Sequence, residues 1–356
     1  MSSTSRPSRL PEYLAGLYAL LIVYASLESF SAWMTPLPGT PFFLFAPWPP
    51  RFTRSDVAIN LLAYAPLGFF VALAGRRATP VRLTAATATG LLLSFAMETV
   101  QMFIPTRDAS AMDLVCNSAG AGIGGLAALA FDRAGLRASI SAWRRRVFVD
   151  GRGADLGLAL LAIWLLAQLN PGIPLFAATF DPSLELTRDL AGTLLQAAES
   201  AFNVIGVGLF LALLLRQRRF VGGAVLMLIG VALILKGAAA SVLIRQSVLE
   251  TWIKPGVSLG VAVGALVLLL AVWLPRPVRT TLCAISLLAS LVAPLLAPDM
   301  WRARAPLALF DWPYGQLLNF NGLTHAVLIV WPIFASVYVL SVAAKRAGID
   351  GGDQRV

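Results

Sequence analysis

Residues 56–75 read DVAINLLAYAPLGFFVALAG, twenty positions with one charged side chain, Asp56, at the first of them. At about 1.5 Å of rise per residue, twenty residues make a helix of about 30 Å, the thickness of a bilayer's hydrocarbon core. Asp56 and Asn60 are four apart and share one helical face, and Pro66 and Gly68 follow deeper in the run. Working outward, apolar runs of similar length recur at 12–33, 81–104, 113–131, 154–170, 192–215, 221–246, 255–274, 280–297 and 322–344. The chain is 58% hydrophobic and 13% charged over 356 residues, whereas a soluble domain carries about 25% charge. These features predict an all-α, polytopic membrane protein of about ten transmembrane helices.

The net charge of +10 raises the question of nucleic acid, but Lys and Arg sit in short segments between apolar runs and not on one folded face. Nineteen of them fall in segments that are internal if the N-terminus is internal, among them Arg76, Arg77, Arg82, Arg144, Arg145, Arg146, Arg216, Arg218, Arg219, Arg276 and Arg279. Eight fall in the alternate segments, and Lys236 lies within a run. That bias predicts both termini on the cytoplasmic side of a cytoplasmic membrane and no nucleic-acid partner. The first run is read as an uncleaved helix and not a signal peptide, since its apolar length exceeds an ordinary signal core. Cys116 and Cys283 both lie in apolar runs, which argues against a disulfide framework, and the lone His325 offers no zinc set. No metal and no cofactor is expected.

The external segment 34–55 holds Pro36, Pro38, Pro41, Pro47, Pro49 and Pro50 among Phe42, Phe43, Phe45 and Trp48, an irregular loop suited to the outer headgroup level. Polar side chains at membrane depth are costly, so each is a candidate for function. Glu98 and Gln101 are three apart near the outer end of the third run. Asp113, Asn117, Gly120 and Gly124 form one stripe on the fourth, polar at its outer end and small further in. With Asp56, Asn60, Arg107 and Glu28, four consecutive runs direct carboxylates, amides and a guanidinium to one outward region. A purely structural set of interhelical hydrogen bonds is the competing reading.

The linked order Asp56-x3-Asn60, Ala65-Pro66-Leu67-Gly68-Phe69, Glu98-x2-Gln101-x-Phe103-Ile104-Pro105-x-Arg107-x5-Asp113-x3-Asn117-x2-Gly120-x3-Gly124 resembles the VanZ-like family of bacterial membrane proteins. The likeness spans roughly residues 10–132. It implies a small helical membrane module first associated with low-level teicoplanin resistance, with no established catalytic mechanism, and a bacterial inner-membrane location. The family's polar positions carry over to Asp56, Asn60, Glu98, Gln101, Arg107, Asp113 and Asn117.

The resulting organisation is a four-helix VanZ-like domain at 1–132, a basic cytoplasmic loop at 133–153, a second four-helix segment at 154–275 and a two-helix extension at 276–356. The second segment reads either as a degenerate parallel copy of the first or as similar helices by coincidence. Glu199-x3-Asn203 echoes Asp56-x3-Asn60, and Lys236 to Arg245 repeats the interval from Glu98 to Arg107. In that register Thr251 and Pro255 replace Asp113 and Asn117. Glu199 and Lys236 on adjacent antiparallel runs are expected to form a structural ion pair. Trp312, Asn319, Asn321 and His325 add polar and aromatic residues near the outer end of the last run.

Three functions fit these features. The first is non-catalytic recognition of an outer-leaflet lipid, a lipid-linked envelope precursor or a glycopeptide-type amphiphile through Glu28, Asp56, Asn60, Glu98, Gln101, Arg107, Asp113 and Asn117. The second is a membrane enzyme acting on lipid headgroups, with Glu98 or Asp113 as general acid or base. The third is a lipid or solute transporter. The first is favoured, because no Ser/His or Cys/His arrangement, metal spacing or Gly-rich phosphate loop accompanies the carboxylates, and the polar groups lie at one end.

Overall fold

A computed structural model describes residues 8–27, 33–47, 54–170, 173, 176, 190–243, 255–296 and 316–352. Among these, eleven α-helices follow one another: α1 (Leu10–Leu27), α2 (Arg54–Ala74), α3 (Thr79–Gln101), α4 (Ala111–Arg133), α5 (Leu136–Val147), α6 (Arg152–Ala167), α7 (Leu190–Leu214), α8 (Val221–Leu243), α9 (Pro255–Ala271), α10 (Arg276–Leu296) and α11 (Gln316–Gly352). Each predicted span falls on one of them, and the eleventh, α5, lies between spans. Seven are long and apolar enough to cross a membrane: α1, α2, α3, α4, α7, α8 and α11. Of the others, α6 and α9 have 16 and 17 residues, and α10 opens on Arg276 and Arg279. Leu62, Leu92 and Ile234 are 71%, 68% and 71% exposed, an outward apolar surface that only a lipid environment makes favourable.

The chain divides into two compact units, Met1–Arg146 and Val147–Val356. In the first, α2 and α4 make the most extensive contact, α3 packs on α4, and α1 packs on α2. Small residues permit this. A Cβ added to Gly124 would lie 1.8 Å from the Ala65 carbonyl oxygen, and one on Gly120 would lie 2.3 Å from that of Leu61. From the other side, a Cβ on Gly68 would meet the Ala121 oxygen at 1.9 Å. The two backbones therefore touch, which gives α2 and α4 the close van der Waals contact that associates helices in lipid. Pro66, inside α2, has no N–H to give the Leu62 carbonyl, yet the helix continues through it.

One end of this unit is tied by Arg82, whose charge the sequence pattern explains only as topology. Arg82 Nε donates to the Ala72 carbonyl at 2.8 Å, and its Nη2 contacts Asp132 Oδ2 at 2.5 Å, joining α2, α3 and α4. Arg137 adds a longer ion pair, 3.4 Å, to the same carboxylate. At the other end, Met34 N donates to the Phe103 carbonyl at 2.9 Å. There Phe43, buried in a short 3-10 turn (Phe43–Phe45), packs its ring 5.8 Å from that of Phe95. The proline-rich segment is thus irregular where it is described, with Phe42 and Phe43 both set against Phe95 of α3.

The basic stretch after α4 departs from the predicted loop, since most of it is the helix α5. Gly135, at φ 71°, ends α4 in the left-handed region, and no proline stops a new helix beyond it. Leu136, Ile140, Trp143 and Val147 recur at helical spacing on one face, with Arg137, Arg144, Arg145 and Arg146 elsewhere. That is the composition of a helix lying in a headgroup region.

In the second unit α7 is central: 78% of its apolar window is buried, against 6% for α1. It packs on α9 and α10, and α11 packs on α10 and α6. Gly256, Gly260 and Gly264 bring α9 onto the Thr193, Ala197 and Ala201 carbonyls, where added Cβ atoms would lie at 2.7, 2.2 and 2.8 Å. Trp331 Nε1 donates to the Leu160 carbonyl at 2.7 Å, and Phe210 stacks edge-on against Trp331 at 5.5 Å. The last two helices are thus packed into this unit's core.

Candidate functional site

The stripes on α2, α3 and α4 meet. Asn60 Nδ2 donates to Asp113 Oδ1 at 2.6 Å, fixing α2 to the first turn of α4. Asp56, one turn earlier on α2, lies within electrostatic range of Asp113. Glu98, 4% exposed, accepts the Ser110 N–H at 2.9 Å through Oε2. Ser110 is the N-cap of α4, and its Oγ accepts from Met112 N at 3.1 Å. The Glu98 carboxylate therefore sits at the positive end of α4, where a helix terminus leaves N–H groups unpaired. Arg107 and Asp113 are both within electrostatic reach of Glu98.

Two further residues ground the cluster on α1. Gln101 Nε2 donates to the Ser26 carbonyl at 3.0 Å, and Arg107 Nη2 to the Ala25 carbonyl at 3.0 Å. Glu28, the predicted contribution from the first span, lies outside the described residues. Deeper, Asn117 Nδ2 donates to Ser94 Oγ at 2.9 Å, and Tyr64 hydrogen-bonds Ser94 as well. Asn117 is 5% exposed, and its Oδ1 has no hydrogen-bond partner among the described residues.

The structure thus gathers Asp56, Asn60, Glu98, Gln101, Arg107, Asp113 and Asn117 at one end of the first unit. Pro66, Gly68, Gly120 and Gly124 lie below, where the backbones touch. Tyr64 and Ser94 escaped the sequence reading. Both continue its stripes by one helical step, Tyr64 at four past Asn60 and Ser94 at four before Glu98, so the spacing rule alone could have found them. Among the described residues no three His, Cys, Asp or Glu side chains are placed to hold a metal ion.

In the second unit the expected ion pair is replaced by another arrangement. Lys236 Nζ donates to the carbonyls of Asn170, at 3.0 Å, and Ile173, at 2.6 Å, and not to Glu199. The physical reason is that the chain beyond α6 brings two backbone carbonyl oxygens to the buried ammonium, and these accept from it where a carboxylate was expected. Glu199 is itself buried, and its carbonyl accepts Asn203 Nδ2 at 3.3 Å within α7. Asn170 Nδ2 donates to Thr324 Oγ1 at 2.8 Å. The comparison residues Arg245 and Thr251, with Trp312 near the last run, lie outside the described residues, as do the side chains of Asn319 and Asn321.

Fold and site define a multi-pass helical membrane protein whose N-terminal unit gathers acids, amides and one arginine at a helix-terminal cluster. Residues 13–132 match the family model described as VanZ/LLP1. The resemblance drawn from the linked motifs therefore holds over that third of the chain, which includes every member of the cluster. No curated protein and no solved structure matches the chain.

Proposed function

We propose that the N-terminal unit is a non-catalytic recognition module for the headgroup of an amphiphile in the outer leaflet of the bacterial cytoplasmic membrane. The carrying observation is the burial of Glu98 beside Asp113, with Asp56 next in line and Arg107 as the one cation of the cluster. Gathering carboxylates at membrane depth costs several kcal/mol and is a poor source of stability, so a partner that supplies donors is the natural reason to keep them. The free acceptor of Asn117 points the same way. A headgroup bearing amine or hydroxyl donors suits this chemistry better than a bare phosphate. The candidates are an amino-bearing lipid, a lipid-linked cell-envelope precursor and a glycopeptide-type amphiphile, the last of which would link the module to glycopeptide resistance. Loop charge supports placing both termini on the cytoplasmic side and this cluster on the outer side.

The test is direct binding of a fluorescent glycopeptide and a labelled phosphatidylethanolamine to the purified chain. Glu98→Gln and Asp113→Asn should each weaken the bound probe about tenfold at equal expression, the loss of one charge-assisted hydrogen bond. Equal binding by both variants would remove this reading. A changed headgroup species in lipid extracts of knockout cells would favour the enzymatic alternative instead.

A further inference from the structure

Helix α5 holds four arginines, Arg137, Arg144, Arg145 and Arg146, and no acid. The carboxylate just before it, Asp132, is shared by Arg82 at 2.5 Å and Arg137 at 3.4 Å. Arg145 and Arg146 are exposed and form no ion pair among the described residues. The place of α5 follows from the helix that precedes it. With 23 residues, α4 begins in the acid cluster and ends about 34 Å away at Arg133, the length of one membrane crossing. Gly135 turns the chain, and Leu136 opens α5. This helix therefore starts at the membrane face opposite the acid cluster, and at about 18 Å it is too short to cross back.

The distribution of side chains around α5 is a separate observation. At about 100° per residue, Leu136, Ile140, Trp143 and Val147 fall within an arc of about 60°. Arg137 and Arg144 lie about 80° to one side of its centre, Arg146 about 90° to the other, and Arg145 on the far side. No residue of α5 is buried, and Leu136, Ile140 and Trp143 are 47%, 52% and 44% exposed, so the chain leaves about half of each uncovered. Charge that served topology alone could fall anywhere around the helix. Here it leaves one apolar arc clear and flanks it on both shoulders.

We propose that α5 is a docking surface for anionic phospholipid headgroups of the cytoplasmic leaflet, seated in the membrane plane on Leu136, Ile140 and Trp143 and holding lipid phosphates with its shoulder arginines. Arginine stems lie along an apolar surface while the guanidinium forks reach phosphate oxygens, and a tryptophan ring favours the same depth. The bilayer is favoured over an acidic soluble partner because α5 begins two residues after a membrane-spanning helix, which keeps its apolar arc within reach of lipid. Loop charge supports the cytoplasmic side, where anionic lipids attract basic segments. The inference does not depend on what the acid cluster binds.

The experiment uses the full chain in phosphatidylcholine nanodiscs with about 20% of a lipid brominated on its acyl chains, either phosphatidylglycerol or phosphatidylcholine. A bimane label on Ile140→Cys reports contact with the bromines, the native Cys116 and Cys283 being buried. Both lipids should quench the label, and phosphatidylglycerol should do so as if enriched at least about fivefold beside α5, the effect of one arginine at a membrane surface. Adding Arg146→Gln should cut that enrichment about threefold, and Arg145→Gln, on the far side, by less than half as much. Quenching by neither lipid would put α5 off the membrane and overturn the proposal. Equal quenching by both would remove headgroup selection, and equal losses in the two variants would replace a seated helix with diffuse charge; either result also overturns it. Should a variant not fold, raising NaCl to about 0.5 M on the labelled chain should lower the phosphatidylglycerol enrichment and leave phosphatidylcholine quenching unchanged. An enrichment that salt does not alter contradicts the proposal.

Discussion

The α2–α4 contact of the first unit and the α7–α9 contact of the second use the same packing device but differ in what they hold beside it. In each, glycines at four-residue steps set one helix directly on carbonyl oxygens of another, Gly120 and Gly124 on Leu61 and Ala65, and Gly256, Gly260 and Gly264 on Thr193, Ala197 and Ala201. The polar contents differ in how they are held. The first unit collects Asp56, Glu98 and Asp113 around the start of α4, whereas the second buries the cation Lys236 on two backbone carbonyls. The comparison teaches that close packing in lipid is set by small residues and leaves the adjoining polar residues free to specialise. The third helix also differs: α3 packs broadly on α4, while the contacts of α8 lie mainly with α7 and with the turn that precedes it.

If the packing device is shared, it should fail alike in both units. Gly124→Val and Gly260→Val should each cost about 3 kcal/mol or more, because the added Cβ meets backbone and not a movable side chain. Loss of the monodisperse peak on size exclusion is the readout. Gly230→Ala, with open space around it, should leave that peak unchanged. Tolerance of Gly260→Val alone would break the parallel.

The contrast in polar content is tested next. Lys236→Met should lower stability by about 1–3 kcal/mol, because the Asn170 and Ile173 carbonyls lose their donor. A double-mutant cycle with Glu199→Gln should be additive within about 0.5 kcal/mol, and a larger coupling would restore the ion pair. In the first unit Arg82→Ala should cost about 1–2 kcal/mol in thermal unfolding, since it releases both Asp132 and the Ala72 carbonyl. The smallest effect belongs to Glu12→Gln at the start of α1, whose ion pair with Arg9 is 3.6 Å long and exposed, and it should change stability by less than about 0.5 kcal/mol.

Much of this was legible before the structure, for a definite reason. Helix position in a membrane protein follows from apolar length, so residues 56–75 located α2 within two positions at its start. The stripes through Asp56 and Asn60, Glu98 and Gln101, and Asp113 and Asn117 were readable because helical spacing is fixed. Partners that are backbone atoms left no such trace. Arg107 on the Ala25 carbonyl, Gln101 on that of Ser26 and Lys236 on those of Asn170 and Ile173 depend on where the chain turns, which residue type does not record. Charge pairing therefore suggested Glu199 for Lys236, where geometry supplies carbonyls. The helix α5 was hidden by its arginines, whose number drew attention from the spacing of Leu136, Ile140 and Trp143.

The central claim is that the acids of the first unit serve a ligand and not assembly, and Asp113→Asn separates the two. An asparagine keeps an oxygen for Asn60 Nδ2 and removes only the charge. Thermal unfolding and amphiphile binding measured on the same preparation should give a midpoint shift equivalent to less than about 1 kcal/mol with about tenfold weaker binding. A large loss of stability with binding unchanged would contradict the account.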